Sequence, residues 1–127
     1  MDILRMDRDR LLRYVVQQLH NTLPDDFDPS ADIDAHLDEA LHRLQVCINA
    51  VRPWRQDCFD PLHSTQYCSV LYFLAHTIWR STASTETPTR LFLLNKALNG
   101  IDLFYEIEMP PVFFIGHSAG IVFAKAT

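Results

Sequence analysis

The residue types best suited to chemistry lie close together near the end of the sequence, in the stretch Gly116-His117-Ser118-Ala119-Gly120. An imidazole exchanges protons near neutral pH, so His117 is a candidate general base. The hydroxyl of Ser118 becomes a nucleophile when a base removes its proton. Two carboxylates, Glu106 and Glu108, precede this stretch and share one face of an extended segment, which fits either a solvent-exposed pair or a functional one.

One interpretation of this stretch is the nucleophile elbow of α/β-hydrolases, because it satisfies the pattern G-x-S-x-G. In that fold a strand leads into a strained turn that exposes the serine, and Val112-Phe113-Phe114-Ile115 reads as such a strand. The fold also requires strands that alternate with helices before the elbow, and an acid and a histidine after it. The sequence offers neither, so a serine esterase centred on Ser118 is the less favoured alternative.

Apolar residues recur at helical spacing through most of the first hundred residues. They predict a bundle of four helices, and residues 67–79 within the third are apolar in nearly every direction, which predicts burial on most sides. The start and stop signals are an N-cap at Asp7 and a stop at Pro24, an N-cap at Ser30 and a stop at Arg52-Pro53, a start at Asp60-Pro61, a start at Thr87-Pro88 and a C-cap at Asn99-Gly100.

The pattern changes at Ile101, after which Ile101, Leu103, Tyr105 and Ile107 alternate with mostly polar residues. This period of two is typical of a strand or an extended segment. We therefore predict a mainly α protein, with a helical N-terminal domain over residues 1–100 and an extended or β segment over residues 101–127. Residues 112–123 would form an exposed apolar strand unless another surface covers them.

Composition and charge narrow the function classes. The net charge is −5 and the arginines are scattered, so the basic patch of a nucleic-acid binder is missing. No apolar run approaches the length that spans a bilayer. Three cysteines without a C-x-x-C pair indicate neither a disulfide framework nor a zinc site. These features predict a cytoplasmic protein without a metal site.

Several other polar residues have an ordinary structural interpretation. His42 and Arg43 fall on the polar face of the second helix, and His76 lacks metal-ligand spacing, so we interpret the histidines before His117 as surface or core-edge residues. Cys47 and Cys68 fall on apolar helix faces, which predicts buried and unreactive thiols.

The phrase His117-Ser118-Ala119-Gly120-Ile121-Val122 resembles the His-x-x-Gly-x-Val phrase of serine O-acetyltransferases, which belong to the hexapeptide-repeat acyltransferase superfamily. Upstream stretches add to the resemblance, since they look like the helical N-terminal part of bacterial serine-acetyltransferase-like proteins. These stretches are residues 62–67, 71–75, 94–100 and 102–110. The resemblance covers roughly residues 59–127.

The resemblance implies that a left-handed parallel β-helix follows the helical domain, that the chains assemble as trimers or dimers of trimers, and that acetyl-coenzyme A binds between subunits. It implies that His117 removes the proton from a hydroxyl acceptor, a serine or a sugar, as that hydroxyl attacks the thioester. A carboxylate before Pro110 would orient the imidazole. Glu106 and Glu108 are the choices, with Asp102 as a third, because the sequence has Glu-Ile-Glu-Met-Pro where the enzymes usually have Asp-Ile-His-Pro.

No hexapeptide repeat follows in this sequence. The resemblance therefore also implies a truncated chain, whose coenzyme-binding residues lie beyond Thr127 and which is inactive and binds no cofactor by itself. A different interpretation needs no catalysis: the helices form an assembly module that mediates oligomer or partner contacts.

Overall fold

The computed structural model describes residues 1–124. These residues form four helices, α1 (Arg8–Thr22), α2 (Ser30–Ala50), α3 (Ser64–Thr82) and α4 (Glu86–Asn99). Four two-residue strands accompany them: β1 (Asp2–Ile3), β2 (Cys58–Phe59), β3 (Ile101–Asp102) and β4 (Ile121–Val122). The prediction of a mainly α protein with four helices is confirmed.

Helix α3 is the centre of the molecule. It packs against α2 on one side and α4 on the other, while α1 contacts both of these outer helices. Residues 65–78 are all buried, as the apolar run predicted. Because a helix buried on every side exposes no face to water, even its polar residues must find partners inside the protein.

Two predicted helix ends that depend only on local chemistry are confirmed, the start of α1 and the end of α4. The carboxylate of Asp7 accepts a hydrogen bond from the backbone N–H of Arg10 at 2.8 Å and so caps α1. Gly100 ends α4 in the left-handed conformation, with φ of 65°. Each signal acts within one helical turn, so the sequence around it suffices.

Three predicted helix starts are displaced by up to three residues, and in each case the residue makes a turn or tertiary contact. Ser30 is the first residue of α2, directly after the N-cap at Pro29, and its backbone N–H and hydroxyl both donate to Asp28 Oδ1. Asp60 begins a turn that His63 closes, and α3 starts after it. Thr87 lies in the first turn of α4, where its hydroxyl donates to Asp32 of α2 at 2.7 Å.

Two parallel strand pairs join distant parts of the chain. Strand β1, at the start of the chain, pairs with β2, which follows α2. The sequence did not predict this contact. Strand β3 pairs with β4, so that Ile101 lies opposite Ile121 and Asp102 opposite Val122. Between them, Ile101, Leu103 and Tyr105 are buried in alternation with half-buried neighbours, as the period of two predicted.

Residues 112–115, which read as a strand, form no strand in the structure. Within residues 1–124 no strand pairs with this segment, and its side chains divide between two surroundings. Ile115 is buried and Phe113 packs against the core, whereas Val112 and Phe114 are exposed. The predicted exposed strand is thus a loop that is anchored at alternate residues.

One hydrophobic core serves both predicted regions. It includes Leu71 and Leu74 of α3 together with Leu103, Tyr105 and Ile115 of the C-terminal segment. None of the helices described by the structure combines the length and apolar character needed to cross a membrane.

Candidate functional site

The stretch with the candidate base forms a turn between β3 and β4 that closes on the end of α4. The N–H of Gly120 donates to the carbonyl of Gly100 at 2.9 Å, and the N–H of Phe123 donates to the carbonyl of Asp102 at 2.7 Å. A Cβ on Gly100 would approach the Cα of Ala119 to 3.2 Å. Glycine is therefore favoured at residue 100 both by its positive φ and by this close approach.

Ser118 is buried in this turn, and its hydroxyl donates to the carbonyl of Asn99 at 2.7 Å. This bond satisfies a carbonyl of the last turn of α4, which has no partner within the helix. A nucleophile elbow would expose the serine between a strand and a helix. Here a loop precedes Ser118 and a short strand follows it, so the geometry does not favour the hydrolase interpretation.

His117 lies beside Ser118 but is exposed. Among residues 1–124 it forms no hydrogen bond or ion pair with Glu106, Glu108 or Asp102. Its imidazole is therefore accessible to a small molecule, but the structure does not join it to the carboxylates that were predicted to orient it.

Glu108 instead contacts a different histidine, His76 of α3. Glu108 Oε2 lies 2.6 Å from His76 Nε2, and Oε1 lies 3.8 Å from Arg80 Nη1. The side chain of His76 is 0% exposed, whereas that of Glu108 is 67% exposed. The carboxylate thus links a buried imidazole to the surface of the protein.

Arg43 of α2 completes this cluster and fixes the tautomer of His76. Its Nη1 lies 2.9 Å from His76 Nδ1 and donates to the hydroxyl of Thr77 at 2.8 Å. Because a guanidinium can only donate, Nδ1 must be the acceptor and Nε2 must carry the proton that it donates to Glu108. His76 is accordingly neutral, and burial lowers its pKa from the ordinary 6.5.

Two aromatic rings lie against the cluster, and the guanidinium of Arg80 lies near it. The guanidinium carbon of Arg43 lies 4.7 Å from the centre of the Phe73 ring, and the ring of Tyr72 stacks on His76. Burial, and secondarily the positive charge of Arg80, lower the pKa of Arg43. The lowered pKa means that the surroundings of Arg43 do not fully offset the cost of burying its positive charge.

Tyr72 attaches the segment that carries Glu108 to the helical core. Its hydroxyl donates to the carbonyl of Ile107 and accepts from the N–H of Met109 at 3.1 Å. Burial raises the pKa of Tyr72, so the hydroxyl keeps its proton. The backbone on both sides of Glu108 is therefore held by one side chain of α3.

An open pocket of about 590 Å³ adjoins this cluster. Three members of the cluster, Arg43, Arg80 and Glu108, line it together with His42 and the apolar side chains of Val46, Met109, Pro110 and Pro111. It thus combines two guanidiniums and one carboxylate with apolar side chains. Pockets of this size hold small-molecule ligands in other proteins.

The other two predicted carboxylates, Glu106 and Asp102, form no hydrogen bond or ion pair with this cluster within residues 1–124. Glu106 is half-buried and makes no hydrogen bond within the described part of the chain, while Asp102 lies 3.6 Å from Lys96. No group of three or more histidine, cysteine, aspartate or glutamate residues among residues 1–124 is arranged to hold a metal ion.

The sequence analysis missed the roles of Arg43 and His76. Arg43 was placed on a solvent face and His76 at the surface or the edge of the core, yet His76 is fully buried and Arg43 is half-buried against it. One signal pointed to the correct answer: His76 lies within the run that is apolar on every side, where a polar side chain requires a partner. The partner itself comes from 33 residues away along the chain.

Both predicted thiols are buried. Burial raises the pKa of Cys68 to about 11, and also raises the pKa of Cys47, whose Sγ lies 3.3 Å from the carbonyl of Pro111. Neither thiol therefore has the thiolate character that nucleophilic chemistry requires.

Comparisons with protein-family models, with curated proteins and with solved structures found no match to this chain. What the chain does must therefore be inferred from its own residues and geometry.

Proposed function

We propose that this chain is the N-terminal part of an acetyltransferase that moves an acetyl group from acetyl-coenzyme A to a hydroxyl acceptor, as serine O-acetyltransferases do. The observation that carries the proposal is the parallel pairing of β3 with β4, in which Ile101 lies opposite Ile121. The chain between these strands contains no helix.

This pairing has the form expected for the start of a β-helix. Parallel strands in a sheet are usually joined by a crossover helix, whereas a β-helix joins them through a coil of extended segments and turns. A three-sided coil of hexapeptides spans about 18 residues, which is close to the step of twenty residues from Ile101 to its partner Ile121. The buried alternation of Ile101, Leu103 and Tyr105 is also what the inward-facing residues of such a coil would show.

In this proposal His117 is the general base. It accepts the proton of the acceptor hydroxyl while the hydroxyl oxygen attacks the thioester carbonyl. The carbon–sulfur bond then breaks, and the leaving thiolate of coenzyme A takes up the proton from the His117 imidazolium. The exposure of His117 on the connection between β3 and β4 supports this role. Of the candidate carboxylates, Glu108 is engaged by His76 and Asp102 faces Lys96, which leaves Glu106 as the best choice to orient the imidazole.

Exposed apolar side chains on the C-terminal segment support assembly into a homo-oligomer. Phe114 is 59% exposed and Val122 is 70% exposed, although both belong to a segment that is otherwise anchored to the core. Contact with another copy would remove this surface from water. The same observation favours the second candidate function, a non-catalytic assembly module.

The decisive experiment uses the intact product of the encoding gene, whatever its length. The purified protein is given acetyl-coenzyme A and a panel of hydroxyl acceptors that includes serine and simple sugars. Release of the coenzyme A thiol and the mass of the acetylated acceptor are measured together. We expect turnover, and we expect the substitution His117→Ala to reduce it by about 10²- to 10⁴-fold, the usual contribution of a general base.

His20→Ala provides the matched control, since His20 is also exposed but lies on α1. It should leave turnover unchanged. Equal turnover by the wild type and His117→Ala would eliminate His117 as the base. If no acceptor is acetylated and light scattering shows an oligomer, the assembly module becomes the better proposal.

A further inference from the structure

Neither His117 nor Glu106 lines the pocket beside Arg43 and Arg80, and the pocket takes no part in the acetyl transfer proposed above. It is bounded by α2, by the end of α3 and by the segment that begins at Glu108. Its residues come from three separate parts of the chain, so only the folded protein presents them together.

Arg43 is held firmly at its back and has donors left over. Both of its side-chain hydrogen bonds, to His76 and to Thr77, use Nη1. A guanidinium has five N–H donors. Nε and Nη2 form no hydrogen bond of normal geometry within residues 1–124, although the guanidinium also lies close to the Tyr72 hydroxyl. Donors of Arg43 therefore remain for a ligand on a side chain whose orientation is already fixed.

The charges that line the pocket do not balance. Arg43 and Arg80 contribute two positive charges, Glu108 contributes one negative charge, and the neighbouring His76 is neutral. Glu39 lies outside the lining and acts on Arg43 more weakly than Glu108 does, so the lining itself carries one positive charge in excess. The lowered pKa of Arg43, caused by burial and by Arg80, is consistent with this excess.

Half of the residues that line the pocket are apolar. These are Val46, Met109, Pro110 and Pro111, and Tyr72 fixes the backbone at Met109. A pocket that combines apolar side chains with oriented guanidinium donors suits an anionic group attached to an apolar body.

We propose that this pocket binds a small organic monoanion, a carboxylate attached to a short aliphatic or aromatic body. The carboxylate lies against the free donors of Arg43 and against Arg80, and the apolar body lies against Val46 and Met109. The planar guanidinium fork matches the two oxygens of a carboxylate. The binding site does not depend on the proposed acetyl transfer.

The test uses hexanoate as the probe. NMR follows the backbone amide signals and the arginine Nε–H signals of the ¹⁵N-labelled full chain. Saturable shifts are expected at Arg43, Arg80 and Val46. Acetate should bind at least about tenfold more weakly, because it lacks the apolar body. Hexylammonium, which has the same chain and the opposite charge, should cause no saturable shift at these residues.

Two substitutions separate binding from folding. Arg80→Gln removes one charge from an exposed side chain with a single long contact, so it should preserve the fold and weaken hexanoate about tenfold or more. Glu108→Gln removes the carboxylate that lines the pocket but keeps an acceptor for His76, so it should tighten binding. Arg13→Gln, which removes an exposed arginine of α1, is the control and should change nothing.

Three results would overturn the proposal. The first is the absence of saturable shifts with hexanoate. The second is equal binding of hexanoate and hexylammonium, which would show that the charge plays no part. The third is binding of inorganic phosphate as tight as that of hexanoate, which would show that the apolar side chains play no part.

Discussion

Two histidines of this protein have opposite surroundings. His76 lies in the middle of α3, is completely buried and has both ring nitrogens in hydrogen bonds, one with Arg43 and one with Glu108. His117 lies in a turn, is exposed, and has no carboxylate partner among residues 1–124. Only the second imidazole is accessible to a small molecule.

The comparison shows that a carboxylate–histidine pair is not sufficient evidence of a catalytic base. His76 has the orienting carboxylate that a base would use, yet a fully buried ring cannot reach a reacting atom. Its two hydrogen bonds instead connect α2, α3 and the segment around Glu108. The consequence is that His76 should govern stability, whereas His117 should govern any proton transfer.

The largest expected effect on stability comes from His76→Ala. This substitution removes a buried ring and leaves Arg43 without one of its two acceptors, and should lower the free energy of unfolding by about 2–4 kcal/mol. Urea denaturation followed by circular dichroism measures the change. His117→Ala serves as the matched substitution in an exposed position and should leave the midpoint unchanged. Equal losses from the two substitutions would remove the distinction between the histidines.

The pH dependence of stability should sharpen the same distinction. Since burial lowers the pKa of His76 below 6.5, the unfolded chain binds more protons at this residue than the folded protein does. The stability that neutral His76 contributes is therefore complete above its ordinary pKa and declines as the pH falls below it.

This prediction is tested by urea denaturation of the wild type and of His76→Gln at about pH 7.5 and about pH 5. Glutamine offers a donor and an acceptor but does not titrate. The wild type should lose more stability on acidification than the variant does. A pH dependence that is the same in both proteins would contradict the assignment of His76 as a neutral, buried residue.

The smallest effect is expected at Ser118, the neighbour of His117. Ser118→Ala removes the hydrogen bond to the carbonyl of Asn99 and should cost about 0.5–1.5 kcal/mol of unfolding free energy. Thermal unfolding is the measurement, and Ser81→Ala, in an exposed position at the end of α3, is the control. A stability loss no greater than that of the control would mean that the hydroxyl of Ser118 is free. Its role as a nucleophile would then merit a test with a fluorophosphonate probe.

The parts of the fold that the sequence predicted are those set by short-range patterns. The four helices, the all-round burial of residues 65–78, the cap at Asp7 and the left-handed Gly100 each depend on residues within a few positions of one another. The predicted starts at Asp60 and Thr87 were displaced because the same residue types also suit turns and long-range contacts. Asp60 participates in a turn and Thr87 bonds to another helix.

The candidate site likewise has a part that the sequence predicted and a part that it did not. His117 and Glu106 could be named from the sequence because their residue types suggest proton transfer, and their joint role stays a prediction. The cluster of Arg43, His76 and Glu108 could not be found this way, since its members are separated by 33 and 32 residues and each has an ordinary interpretation where it stands.

The sequence by itself determined which segments become helices and which of their faces are apolar, because the helical period and the capping residues act locally. Only the tertiary structure decided that Arg43 and Glu108 meet at His76, and that β3 pairs with β4 rather than with a segment nearer in the chain. The physical reason is that burial removes water from His76. A buried polar group must then be satisfied by whichever donors and acceptors the packing of the helices brings to it.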